Sequence, residues 1–136
     1  MGEAREIVTA VAPRRLVVDG MNVIGSRPTG WWRDRPGAMA ALVADLGRYA
    51  AATGDEVTVV LDSRPFALPE AEVEVRFAQP GRDAADDAIV ALLAADADPS
   101  SLVVATSDRT LAARVRELGA AVIPAGALRR ALDEPG

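Results

Sequence analysis

Short aliphatic runs recur along the chain, each closed by a polar or glycine position. Arg15-Leu16-Val17-Val18-Asp19 is one, ending at a turn residue, Gly20. Residues 57–62 (Val-Thr-Val-Val-Leu-Asp) repeat it, and residues 101–106 (Ser-Leu-Val-Val-Ala-Thr) give it a third time. Residues 120–123, before Pro124, form a shorter fourth. Consecutive apolar positions over so few residues predict strands buried on both faces. Residues 72–77 differ, because apolar and charged side chains alternate strictly. That pattern predicts a strand with one solvated face, at the edge of a sheet.

Between these runs the spacing changes to that of helices. Residues 36–53 place Met39, Leu42, Val43, Leu46 and Ala50 on one face, with Pro36 at the start and Gly54 after the end. Residues 83–96 align Ile89, Leu92 and Leu93. Residues 108–118 align Leu111, Val115 and Leu118 ahead of Gly119, a C-terminal cap, and residues 125–132 predict a last short helix. Strands alternating with helices imply an α/β fold, a mainly parallel sheet flanked by helices on both faces. Neither repeat nor linker interrupts the pattern, so residues 1–136 are read as a single domain, with 1–13 as an N-terminal extension.

Composition then narrows the chemistry. Half of the 136 residues are apolar, enough for one buried core. No run approaches the roughly 18 apolar residues that a membrane span requires. The apolar run 7–12 is short and preceded by both charge signs, unlike a signal peptide, and Met1-Gly2 lacks the Ser or Thr of a myristoylation motif. With no cysteine, nothing points to secretion, and a cytoplasmic location away from membranes is expected. Histidine and lysine are also absent, so the positive charge is all arginine. These absences exclude Ser-His-Asp and Cys-His nucleophiles, Cys/His zinc sites, lysine Schiff bases and the Walker loop within this chain. Any catalysis must rest on carboxylates, hydroxyls, amides and arginines. Carboxylates are natural ligands of magnesium and manganese.

The carboxylates are placed suggestively. Asp19 ends the first strand, Asp62 ends the second, and Ser107-Asp108 follows the third long run, while Asp83, Asp86 and Asp87 open a helix. In parallel sheets, ligands bind beyond the carboxyl ends of the strands. Each aspartate alone has an ordinary explanation, as a helix cap or a turn residue. Four segments delivering acids to one edge require more, because clustered like charges raise each other's pKa. A divalent cation removes that penalty, activates water and neutralises charge building on a phosphoryl group. A haloacid-type phosphatase is disfavoured, since position 21, where a second Asp is needed, is methionine.

Asp19-Gly20-Met21-Asn22-Val23-Ile24 resembles the Asp-Gly-x-Asn-x-Ile opening of NYN domains, a branch of the PIN-like nucleases. Val59-Val60-Leu61-Asp62, Ala85-Asp86-Asp87-Ala88-Ile89 and Ala105-Thr106-Ser107-Asp108 are similar to that family's later acidic segments, in the same order. The Gly54 region, the alternating strand and Gly126-Ala127-Leu128 resemble the YacP-like subgroup, and the likeness covers residues 14–132. It implies a Rossmann-like PIN fold and hydrolysis of RNA phosphodiesters with Mg²⁺ or Mn²⁺, endonucleolytic cleavage being the expected mode. By position, Asp19, Asp86 and Asp108 become the main metal carboxylates, with Asp87 and Asp83 beside them. Asn22 would orient a carboxylate or bind substrate, and Asp62 would support the site or hold a second ion. Ser107 offers its hydroxyl to water at the site or, equally, as a cap to the following helix.

For substrate contact, residues 27–35 hold both tryptophans and three arginines. Arg27, Trp31, Trp32 and Arg33 therefore suit stacking of single-stranded RNA, unless the tryptophans fold onto the core. Arg64, Arg82 and Arg109 lie near strand ends and add candidate phosphate contacts. The net charge of −5 argues against a nonspecific basic coat. Alternative expectations are a non-catalytic RNA-binding or ribosome-associated module and a toxin-type PIN protein restrained by a partner. A ribosome and a second copy of the chain are thus further candidate partners.

Overall fold

A computed structural model describes residues 13–79 and 81–134. The apolar run 7–12, the myristoylation position and all of the expected extension except Pro13 lie outside the described residues. Five parallel strands form one sheet: β1 (Arg15–Asp19), β2 (Glu56–Asp62), β3 (Glu74–Ala78), β4 (Leu102–Ala105) and β5 (Ala121–Ile123), in the order β3-β2-β1-β4-β5. From β1 near the centre the described chain winds outward to β3, then returns to the other side of β1 as β4. The strand order therefore reverses between β1 and β4, where a crevice opens at the carboxyl ends of the strands.

Helices cover both faces. On one lie α1 (Gly20–Ile24), α2 (Arg35–Thr53) and α5 (Ala125–Asp133); on the other lie α3 (Ala84–Ala95) and α4 (Arg109–Glu117). Alternate positions of each central strand feed the two cores. Leu16, Val18, Val59 and Leu61 pack with Val23, Leu42, Leu46 and Leu128, whereas Val17, Val60 and Val104 pack with Ile89, Leu93, Leu111 and Val115. Side chains of this kind contribute about 1.5–3 kcal/mol each on burial, so both faces hold the sheet edge in place. The alternating segment forms edge strand β3, with Glu74 and Arg76 exposed and Val75 and Phe77 packed towards the core.

One element missing from the sequence reading is α1, where a simple turn was expected at Gly20. The helix starts directly on the end of β1, pressed against β2. A Cβ at Gly20 would stand 2.6 Å from Leu61 Cδ2 and 2.8 Å from the Val60 carbonyl oxygen, so only glycine fits there. At the far end of α2, Gly54 adopts φ 79° and ends the helix as its position in the sequence implied.

Candidate metal and nucleic-acid site

Four segments meet at the carboxyl edge of the sheet. Asp19, the last residue of β1, is only 6% exposed, and its Oδ2 accepts a 2.8 Å hydrogen bond from Thr106 Oγ1. Thr106 Oγ1 in turn accepts from the Asp108 amide at 3.1 Å, tying the β1 carboxylate to the turn after β4. One residue further on, the Ser107 amide donates to Asn22 Oδ1 at 2.7 Å, which fixes α1 against the same turn. Asp62 ends β2, and its Oδ1 is buried with no hydrogen-bond partner among the described residues. Asp83 precedes α3 in the left-handed region at φ 61°, and its side chain makes no cap bond. Asp86 lies in the first turn of that helix. Asp19, Asn22, Asp62, Asp83, Asp86 and Asp108 line one open cavity of about 320 Å³ together with Met21, Gly81, Ala84 and Ala85.

Charge in this cavity is poorly compensated. Burial pushes the Asp19 carboxyl up to about 6; the Thr106 hydrogen bond opposes the shift, while the charges of Asp86 and Asp108 add to it. Asp86 is raised too, first by burial and then by Asp108 and Asp83, with Arg114 acting in the opposite sense. Asp108 carries a structural duty as well, because its Oδ1 caps α4 by accepting from the Leu111 amide at 2.9 Å. That is the ordinary role weighed for it in the sequence, and it leaves the other carboxylate oxygen for the cavity.

Not every candidate joins them. Asp87 is 65% exposed and bonds Arg114 at 3.1 Å, outside the cavity lining. Ser107 caps a helix, though not the next one: its Oγ accepts from the Ala125 amide at 2.9 Å, at the start of α5. Arg27 is held by Asp133 at 2.7 Å. Trp31 packs against the core, whereas Trp32 stands 56% exposed and edge-on to it, with ring centroids 6.0 Å apart. Arg33, Arg82, Arg64 and Arg109 are exposed, the last two in clefts on either side of the acidic cavity. Sequence reasoning passed over Thr106 and Arg35. Thr106 stood in view within Thr-Ser-Asp. Arg35 had no individual signal; its guanidinium lies over the Trp31 ring at 5.6 Å.

The model of the YacP-like NYN domain matches residues 16–135. Among solved structures, Rae1 (YacP) from Bacillus subtilis is 29% identical, with a TM-score of 0.71 over 88% of this chain and 73% of that one. Its W164L mutant is 30% identical, with a TM-score of 0.70 over 87% of this chain and 73% of that one. No curated protein matches the chain. The family likeness runs through each acid-bearing strand end, and the solved relatives share the sheet and its helices. The chain belongs to the YacP-like NYN domain family, a nuclease-like branch of the PIN-like superfamily.

Proposed function

We propose that this protein is an endonucleolytic ribonuclease that depends on Mg²⁺ or Mn²⁺ and acts on single-stranded RNA. The observation that carries the reading is the convergence of Asp19, Asp62, Asp86 and Asp108 from four segments on one open cavity, where burial and neighbouring acids disfavour the charged forms of Asp19 and Asp86. In kind, the residues suit a hard divalent ion. The donors are all oxygens, and Asp62 Oδ1 is buried without a protein partner among the described residues. Asp19, Asp86 and Asp108 would hold the ion, with Asp62 beside them; once bound, it would supply activated water and neutralise charge on the phosphoryl group. Thr106 keeps the Asp19 carboxylate aimed at the cavity, Asn22 keeps the β4–α4 turn in register, and the cavity's openness admits a continuous strand.

One observation favours a second reading, a non-catalytic RNA-binding module. Among the described residues, no three or more acidic side chains stand close enough together to hold an ion as they are. Binding one therefore requires the acids to draw in, and Asp83 and Asp86, at the start of α3, are exposed and half-buried respectively. Incubating the purified chain with varied single-stranded RNAs separates the two readings. Cleavage with Mg²⁺ or Mn²⁺, absent with chelator and lowered about 100-fold or more by Asp19→Asn, supports the nuclease. Tight RNA binding with no metal-dependent cleavage supports the module.

A further inference from the structure

Beside the acidic cavity, and sharing Asp62 with it, lies a cleft of about 450 Å³ lined by Arg35, Pro36, Met39, Asp62, Ser63 and Arg64. Its size falls within the roughly 300–1,000 Å³ of small-molecule sites. Its two cations are available. Among the described residues, Arg14, Arg15, Arg27, Arg48, Arg76, Arg114 and Arg129 each hold a carboxylate, whereas Arg35 and Arg64 hold none. Arg35 is set in place by the Trp31 ring beneath it and by a long 3.4 Å contact to the Asp62 carbonyl oxygen. Both arginines are exposed, and buried Met39 with Pro36 supplies an apolar floor.

We propose that this cleft is the subsite for the nucleotide next to the one reacting in the acidic cavity, its phosphate held between Arg35 and Arg64 and its base against Pro36 and Met39. The inference rests on the single-stranded RNA reading above. Guanidinium forks match phosphate oxygens, and their charge offsets the repulsion that an acidic cavity in a chain of net charge −5 exerts on RNA. Arg64 follows Asp62 by two residues, a span on the order of 7 Å, so one strand end serves both the reacting position and its neighbour. Contacts with the Trp31 ring and the Asp62 carbonyl oxygen also orient Arg35 before RNA arrives, which reduces the entropy lost on binding.

The test is binding of a labelled single-stranded RNA oligonucleotide to the full chain in chelator, so that no cleavage intervenes. Arg35→Gln and Arg64→Gln are expected to weaken binding about five- to tenfold each. Each should also lower the slope of log affinity against log salt by about 0.7, the loss of one phosphate contact. Arg130→Gln, which removes an exposed charge on α5, is the control and should change affinity less than about twofold. Arg64 is exposed, so its variant keeps the test informative even if Arg35→Gln disturbs Trp31. Wild-type affinity and slope in a folded Arg64→Gln protein, a loss no greater than that of the control, or failure of the wild type to bind would each overturn the subsite. Metal-dependent cleavage with unaltered Arg64→Gln binding would do so while leaving the nuclease reading intact. Weakened binding without cleavage would keep the subsite and remove the nuclease.

Discussion

The two ends of the sheet treat buried charge in opposite ways. At the amino end, Asp55 is buried yet fully engaged: its carboxylate accepts from the Arg14 amide at 2.8 Å, from Arg14 Nε at 3.3 Å and from the Tyr49 hydroxyl at 3.0 Å. Nearby, Asp96 takes both arms of Arg15 at 2.8 and 3.0 Å, and these bonds hold its carboxyl down to about 2. At the carboxyl end, Asp19 is driven the other way, Asp86 is raised, and Asp62 Oδ1 has no partner among the described residues. The arginines follow the same division, since those at the amino end are paired and several near the carboxyl end are not. Acids that pair serve the fold, whereas Asp19 and Asp86, facing other acids, carry their charge at a cost.

The comparison breaks first if removing an acid at either end costs the same. Asp55→Ala strands the Arg14 and Tyr49 donors and should lower stability by about 3–4 kcal/mol in chemical denaturation. Asp19→Asn should leave stability in chelator at pH 7 equal or higher, because the amide still accepts from Thr106 while a disfavoured charge is gone. A comparable loss in both variants would show that the carboxyl edge is an ordinary structural network.

Acidity sharpens the contrast, because the two ends respond with opposite sign. Between the unfolded value of 3.8 and the folded value of about 6, Asp19 holds its proton in the native state and not in the unfolded chain. Stability in chelator should therefore fall as pH rises through that window, by up to roughly 3 kcal/mol, and Asp19→Asn should flatten the fall. Asp96 acts in reverse: its contribution is present above 3.8 and is lost as pH drops towards 2. Denaturation midpoints across pH 2–7 test both limbs, and a midpoint that rises from pH 4 to 6 would contradict the assignment to Asp19.

Much of this architecture was legible because the hydrophobic period is clean. The strand reading Arg15–Asp19 coincides with β1, and the long helix over 36–53 differs from α2 by one residue. The edge position of β3 followed from its alternation, since a two-faced pattern has no place in the middle of a doubly covered sheet. Helix α1 was not legible, because Asp-Gly ordinarily marks a turn and the reason for Gly20 is its approach to Leu61 and Val60, remote in sequence. For the same reason Ser107 could be suspected as a cap but not assigned to Ala125, 18 residues later. The acids were read together from their positions at strand ends and a helix start, and Asp87 falls outside the cavity; the Asp108 cap is local, whereas the bonds that hold Asp19 and Asn22 are tertiary and no local pattern encodes them.

The tryptophans give a smaller test of where the surface is functional. Trp32→Ala should weaken RNA binding by about 1–3 kcal/mol if a base stacks on the exposed ring, with little change in melting temperature. Trp31→Ala should cost stability instead, as Trp31 packs on the core and carries Arg35. A large stability loss in the Trp32 variant with unaltered RNA affinity would move that ring from the substrate face to the fold.

The central claim, that the carboxyl edge is built around a cation, is tested most directly by melting wild-type and Asp86→Asn proteins in chelator and in Mg²⁺. At a hundred times its dissociation constant, Mg²⁺ should stabilise the wild type by about 2.7 kcal/mol. If losing one anionic ligand weakens the ion tenfold, Asp86→Asn should gain only about 1.4 kcal/mol at the same concentration, a difference of about 1.3 kcal/mol. In chelator the variant should be as stable as the wild type or more so, because one of the mutually repelling charges has been removed. Equal gains from Mg²⁺ in the two proteins, or no gain in either, would contradict the account.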